Sequence, residues 1–259
     1  MRHEIITLPQ TGVELETYLT DNRAVEPGRR KPLVLVFPGG AYMYRSDREA
    51  EPVALRLQSL GIQAVIVRYS VAPAARYPKA LEEAAEAVAY ARAHAEEWLC
   101  DPDRIAVMGF SAGGHAAAHI GLKWHMMPQG RECRPDAMIL AYPVITSGEY
   151  AHRGSIENLL GADHDRLKDE VSLEKFVTDD TPPTFLWHTA NDEVVPVANA
   201  LAFAGALAEN GVPFGLHVFP VGRHGLGLAE RQADVAEWTA LAKQFLAEGI
   251  GLVFPGKAE

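Results

Sequence analysis

IAVMGFSAGGHAAA, residues 105–118, decides how the rest of this chain is read. Ile105–Gly109 is an apolar run of strand length. From Ala112 onward come the small residues Ala112, Gly113, Gly114, Ala116, Ala117 and Ala118, which open a helix. Between the two, Gly109-Phe110-Ser111-Ala112-Gly113 fits G-x-S-x-G and sets Ser111 on a sharp strand-to-helix turn. A serine there must hold an unfavourable backbone conformation, and small neighbours on both sides let the chain bend that tightly. The helix that follows turns its N-terminal N–H groups and positive dipole end toward the serine's surroundings. A serine N-cap with packing glycines would account for Ser111 but not for Gly109, Gly113 and Gly114 around it. The segment predicts a nucleophile.

On either side of it, short β-branched runs alternate with helix-period segments, the pattern of a parallel sheet covered by helices. The predicted strands are Leu33–Phe37, Ala64–Arg68, Ile105–Gly109, Ala137–Ala141, Thr184–His188 and Leu216–Phe219. The predicted helices are Glu49–Leu60, Leu81–Trp98, Ala112–Trp124, Val197–Asn210 and Ala229–Ala247, two of them stopped by Gly61 and Gly211. Glu4–Leu8 and Val13–Tyr18, joined at Thr11-Gly12, read as an antiparallel hairpin at the sheet edge. From about 147 to 183 the alternation breaks, with helical pieces around Ile156–Leu160 and Leu167–Phe176. This stretch is expected to be a lid-like insertion over one end of the sheet within a single domain spanning 1–259.

An acyl-transfer serine needs donors where the carbonyl oxygen turns negative. Phe37-Pro38-Gly39-Gly40-Ala41-Tyr42 closes the strand LVLVF, and consecutive small residues let its backbone approach a substrate. The amides of Gly40, Ala41 and Ala112 are the expected donors. Of ten histidines, His224 is the expected base: it sits late in the chain, in the glycine-flanked loop GRHGLG after the last strand. His188, inside the strand TFLWHT, reads as a packed core histidine. His115 and His119 lie four apart on one helix, but HAAAH lacks the glutamate of HExxH and a third ligand nearby, so no metal site is expected. After TFLWHT comes Asn191-Asp192-Glu193-Val194-Val195. Asp192 is the expected partner of His224, with Glu193 turned away and the two valines packed.

Composition excludes more than it identifies. The chain has 259 residues, 48% apolar, with 24 basic against 34 acidic side chains and a formal charge of −10. That balance argues against nucleic acid or an anionic membrane as partner, since both call for a cationic face. Two cysteines, Cys100 and Cys133, form neither a CxxC nor a zinc pattern. The N-terminal residues carry no signal-peptide run, and the longest apolar stretches are far shorter than a membrane helix. A soluble, cytoplasmic protein is expected. Leu252-Val253-Phe254 leaves open whether that segment packs on a second copy, as a homo-oligomer would, or back on its own domain.

With the PGGAY loop, Ser111, Asp192 and His224 in this order, the chain resembles the α/β-hydrolases, and more narrowly the acetyl-xylan-esterase-like and feruloyl-esterase-like small bacterial carboxylesterases. The segments that carry the resemblance are VLVFPGGAY, VRYSVAP, DPDRIAVMGFSAGGHAAA, HTANDEVVPVANALAFAGAL and GRHGLGLA. The resemblance implies an α/β fold with a mostly parallel twisted sheet and helices on both faces. It also implies hydrolysis of short-chain acyl esters, acetyl esters of sugars or xylan fragments among them, without a cofactor. The partner is then a small-molecule ester. Pro38 and Ala41 depart from the His-Gly-Gly-Gly loop of lipases, which argues against large lipid substrates. Tyr42, Tyr44, Arg45 and Tyr69 are expected at the pocket entrance. Two rival readings remain: a small amidase or peptidase-like hydrolase on the same triad, and a non-catalytic hydrolase-like binding protein.

Overall fold

Alternation along the strands explains how the sheet acquires two buried faces. In the computed structural model, which describes residues 1–249, the strands are β1 (Ile5–Thr7), β2 (Glu14–Tyr18), β3 (Lys31–Phe37), β4 (Gln63–Val67), β5 (Cys100–Phe110), β6 (Ala137–Ala141), β7 (Thr184–Thr189) and β8 (Phe214–Phe219). They form one sheet in the order β1-β2-β4-β3-β5-β6-β7-β8. The β1–β2 and β2–β4 pairs are antiparallel and all others parallel. The helices are α1 (Glu51–Ser59), α2 (Lys79–Ala93), α3 (Ala112–Lys123), α4 (Arg153–Leu160), α5 (His164–Leu167), α6 (Ala198–Glu209), α7 (Ala233–Ala236) and α8 (Trp238–Gly249). Successive strand residues point to opposite faces. Leu33, Leu35 and Phe37 join Ala84 and Val88 of α2, Ala117 of α3 and Phe203 of α6 in one core. Val34 and Val36 join Val53 and Leu57 of α1 and Trp238 and Leu246 of α8 in the other. The sheet is therefore covered on both sides, and the fold is that of an α/β-hydrolase.

The predicted strands and the edge hairpin are present. The hairpin turn closes through Gly12 at φ 76°, and the Glu86 carboxylate of α2 accepts the amides of Gln10 and Thr11 at 2.9 and 2.8 Å. Gly61 and Gly211 do end α1 and α6 in the left-handed region, at φ 81° and 65°. Three helix expectations need correction. The helix expected from Glu49 starts at Glu51, because Glu49 is buried in a preceding 3-10 turn. The helix expected over Leu81–Trp98 begins at Lys79 and gives way to turns after Ala93. The helix expected over Ala229–Ala247 is interrupted: Ala229 sits at φ 56°, and helix resumes only as α7 and α8.

Between β6 and β7, α4, α5 and several 3-10 turns make up the 147–183 insertion; Leu173–Phe176 is a 3-10 turn. Among the bonds that tie it to the sheet's carboxyl end are Tyr77 N–H to the Leu159 carbonyl at 2.8 Å and Asn158 Nδ2 to the Ala41 carbonyl at 2.9 Å. Leu252-Val253-Phe254 lie outside the described residues. Among the described residues, no helix is long and apolar enough to cross a membrane.

Candidate active site

Ser111 follows β5 and caps α3 at φ 53°, ψ −121°, a conformation that costs free energy for a residue with a Cβ and that surrounding contacts must hold. Its amide donates to the Ala141 carbonyl at 3.0 Å, and its carbonyl accepts from the amides of Val144 and His115 at 3.0 and 3.1 Å. The glycines allow these approaches. A Cβ on Gly109 would strike the Gly113 carbonyl, and one on Gly113 would strike the carbonyls of Phe37 and Pro38. The turn is thus pressed against the end of β3, beside the loop expected to supply the oxyanion donors.

Three loops at the carboxyl ends of β5, β7 and β8 bring Ser111, Asp192 and His224 together. His224 Nε2 lies 2.8 Å from Ser111 Oγ, and His224 Nδ1 lies 2.6 Å from Asp192 Oδ2. Against a carboxylate Nδ1 must carry the proton, which leaves Nε2 free to accept the serine's. Asp192 Oδ1 accepts the amides of Val194 and Val195 at 2.9 and 3.0 Å. Burial pushes the Asp192 carboxyl up, but hydrogen bonds from His188 and His224 outweigh it and hold it well below the usual carboxylate range. Glu193 is exposed, as expected. Val195 is buried, but Val194 is 49% exposed and does not pack. His188 is the buried core histidine anticipated, with Nε2 2.9 Å from the Val195 carbonyl. That nitrogen is also 3.4 Å from Asp192 Oδ2, so Asp192 sits between two imidazoles.

The PGGAY loop turns through three consecutive left-handed residues, Gly40, Ala41 and Tyr42, at φ 129°, 55° and 57°. The Gly40 carbonyl accepts from the amides of Met43 and Tyr44 at 2.9 and 3.1 Å, and the Gly39 carbonyl from Ser46 at 2.9 Å. Among the described residues the amides of Gly40 and Ala41 have no acceptor. The Ala112 amide belongs to the first turn of α3, whose N–H groups lack intrahelical partners. These are the three amides that the sequence reading expects as oxyanion donors.

The pocket residues divide. Tyr44 and Arg45 are exposed beside the loop, and Arg45 donates to the Tyr69 carbonyl at 2.8 Å. Tyr42 and Tyr69, expected at the entrance, are instead buried beneath it, 2% and 0% exposed. The Tyr69 hydroxyl donates to the Pro38 carbonyl at 2.6 Å and the Tyr42 hydroxyl pairs with His115 Nδ1 at 2.8 Å, so both brace the loop from below. Both do stand next to the oxyanion loop; the left-handed turn at Tyr42 sends its ring inward. A cavity of about 910 Å³ opens beside His224, with Arg48, Asn191, Glu193, Arg223, Arg231 and Gln232 on its walls.

His115 and His119 serve packing. His115 Nε2 pairs with the Val171 carbonyl of the insertion at 2.9 Å, so both its nitrogens are engaged. His119 stacks on Tyr77 at 5.4 Å between ring centroids. Burial, opposed by the Val171 carbonyl and reinforced by Lys123, brings the His115 pKa down from 6.5 to about 4, and His119 shifts the same way. Between those values the unfolded chain binds a proton that the folded chain refuses, so stability rises with pH across the window. His115 alone is expected to remove about 3 kcal/mol of stability as the medium is taken from pH 6.5 to 4. Urea midpoints measured at intervals over that range check this, and midpoints independent of pH would contradict it. Cys100 and Cys133 are buried, and burial pushes the Cys100 thiol up to about 12.

Sequence reasoning missed Glu49, Tyr142 and Asn158. Glu49 is 3% exposed, with one oxygen on the Gly39 amide and the other on the Tyr142 hydroxyl. At the start of an amphipathic segment it reads as an ordinary first-turn acid, and nothing local signals that its carboxylate is enclosed.

The sheet order, the strained serine between β5 and α3 and the Ser111–His224–Asp192 chain define an esterase-like α/β-hydrolase. Residues 18–207 match the BD-FAE family, and the chain belongs to that family. It is 38% identical over 210 residues to endo-1,4-beta-xylanase B of Butyrivibrio fibrisolvens, covering 77% of this chain and 33% of that protein. It is 31% identical over 199 residues to an acetylxylan esterase of Xylanibacter ruminicola, covering 73% and 40% respectively. The chain thus spans well under half the length of these two curated relatives. A solved acetyl ester-xyloside bifunctional hydrolase from Caldicellulosiruptor lactoaceticus superposes with a TM-score of 0.84 at 44% identity, over 92% of this chain and 89% of that one.

Proposed function

We propose that this protein is a serine carboxylesterase that removes short acyl groups, acetyl groups of sugars or xylan fragments in particular, through Ser111, His224 and Asp192. The observation that carries this reading is the continuous hydrogen-bonded chain from Ser111 Oγ to Asp192 beside the unspent amides of Gly40 and Ala41. Ser111 Oγ attacks the ester carbonyl and passes its proton to His224 Nε2, while the oxyanion rests on the Gly40, Ala41 and Ala112 amides. His224 then gives that proton to the leaving alcohol, and Asp192 stabilises the imidazolium in between. Water, deprotonated by His224, attacks the acyl-enzyme and releases the acid and free Ser111.

Substrate class follows from the surroundings. The alcohol must leave toward His224, and the cavity there offers Arg48, Asn191, Arg223, Arg231 and Gln232 to hydrogen-bond a hydroxylated group, beside the apolar Val194, Val221, Leu226 and Leu228. The names of the two acetyl-ester relatives point the same way. The test is a panel of p-nitrophenyl acetate, butyrate and octanoate, an acetylated xylo-oligosaccharide and p-nitroacetanilide, run beside fluorophosphonate labelling. The acetyl esters are expected to turn over fastest, with the octanoate and the anilide far behind. Anilide cleavage as fast as ester cleavage would make the protein an amidase. No turnover and no label would make it a binding protein.

A further inference from the structure

We propose that Glu49 and Tyr142 are a pair of positioning residues that hold the oxyanion loop and the His224 loop in register, an inference that rests on the serine-esterase reading above. Glu49 belongs to neither loop, yet its carboxylate holds the first directly and the second through Tyr142. Its Oε2 accepts the Gly39 amide at 2.8 Å, and its Oε1 accepts the Tyr142 hydroxyl at 2.7 Å. The Tyr142 oxygen in turn accepts the amide of Gly227, three residues past His224, at 2.8 Å. The adjacent Arg48 adds a bond to the Gly225 carbonyl at 2.6 Å, and Trp238 Nε1 holds the Gly227 carbonyl at 3.1 Å.

An acid enclosed in a hydrolase core is costly unless its oxygens are paired, and an apolar side chain would fill the space without that cost. Both oxygens of Glu49 are used on parts of the active site. By taking the Gly39 N–H, the carboxylate fixes the peptide that precedes the two free amides, Gly40 and Ala41. Packing is close: a Cβ on Gly39 would lie 2.7 Å from Glu49 Oε2, 2.8 Å from the Phe110 carbonyl and 3.1 Å from Ser111 Cβ. At the far end of the relay, the Tyr142 ring stands edge-on to His224, 5.0 Å between centroids and 69° apart. Burial and the neighbouring Glu49 push the Tyr142 phenol well above its ordinary value, so it stays a donor. Neither side chain is placed to touch the reacting atoms; the pair sets where the oxyanion donors and the base stand relative to each other.

The test compares wild type with Glu49→Gln, Tyr142→Phe and the double variant, on p-nitrophenyl acetate and its thionoester. The phenylalanine keeps the ring against His224 and removes only the bridge, so this variant carries the test if Glu49→Gln fails to fold. Each single variant is expected to lose about tenfold to a hundredfold in kcat with KM nearly unchanged, because misplacement is felt in the transition state. Because the pair acts as one unit, the double variant should fall no further than the worse single. Fluorophosphonate should still label every chain at its end point, only more slowly. Sulfur accepts hydrogen bonds poorly, so the ester-to-thionoester rate ratio should shrink in Glu49→Gln, which loss of folded protein would not cause. If an active wild type and both variants share kcat within about threefold, the pairing is overturned while the esterase reading stands. The same holds if the loss is explained by a smaller labelled fraction. A wild type inert to both ester and probe overturns both.

Discussion

Ser111→Ala is expected to lower kcat for p-nitrophenyl acetate by about ten-thousandfold or more and to leave the melting temperature close to wild type. The substitution removes the atom placed to attack the carbonyl, Oγ at 2.8 Å from His224 Nε2. The remaining donors can still polarise a bound ester, which is why a small residual rate should survive. Folding should be spared for a specific reason. Alanine carries the same Cβ into the φ 53° turn, so the strain is unchanged, and the backbone bonds to Ala141, Val144 and His115 do not involve the hydroxyl. Initial rates set beside a thermal melt decide the matter. Turnover within about tenfold of wild type would exclude Ser111 as nucleophile.

The second large effect is expected at Asp192→Asn, with kcat reduced by about a thousandfold to ten-thousandfold and KM little changed. The amide oxygen of asparagine can keep the bonds to the Val194 and Val195 amides, which Asp192 Oδ1 accepts at 2.9 and 3.0 Å. Its NH₂ then faces His224 Nδ1 where Oδ2 stood at 2.6 Å. A donor there drives the imidazole to the tautomer protonated at Nε2, which cannot accept the Ser111 proton. The wild-type carboxyl is held well below the usual range, so it stays ionised in mildly acidic solution. The same depression contributes stability above the ordinary carboxylate pKa that is lost only as pH falls through the lower folded value, and the Asp192→Asn variant lacks that contribution at neutral pH. Rates measured from pH 5 to 9, with urea midpoints at neutral pH, check both statements. An asparagine variant that follows the wild-type profile at wild-type height would remove Asp192 from the triad.

Much of the candidate site was legible along the chain because its chemistry is local. Gly109, Gly113 and Gly114 around one serine, Pro38-Gly39-Gly40-Ala41 after a strand, and a histidine between glycines each mark a place where backbone must bend or approach closely. The acid was legible from strand order: Asp192 follows β7, and the burial of Asp192 with the exposure of Glu193 matches that choice. The pocket was not. Tyr42 and Tyr69 stand at strand ends, where substrates of such sheets collect, but a position along the chain does not say which way a ring turns. Tyr42 points down because its own backbone is left-handed, φ 57°.

Glu49 marks the boundary between the two kinds of information. Its neighbours in sequence, Arg48 and Ala50, describe a helix approach and nothing more. Its partners are Gly39, ten residues before it, and Tyr142, 93 residues after it. The order of residues was enough to specify the α/β architecture and to single out Ser111, Asp192 and His224, since periodicity and glycine placement are written residue by residue. What surrounds those three came only with the folded chain: the carboxylate shared by two loops, the tyrosines tucked beneath the oxyanion turn and the imidazole of His188 behind Asp192. Those contacts join segments that meet only when the sheet is assembled, and burial and partner choice are properties of that assembly.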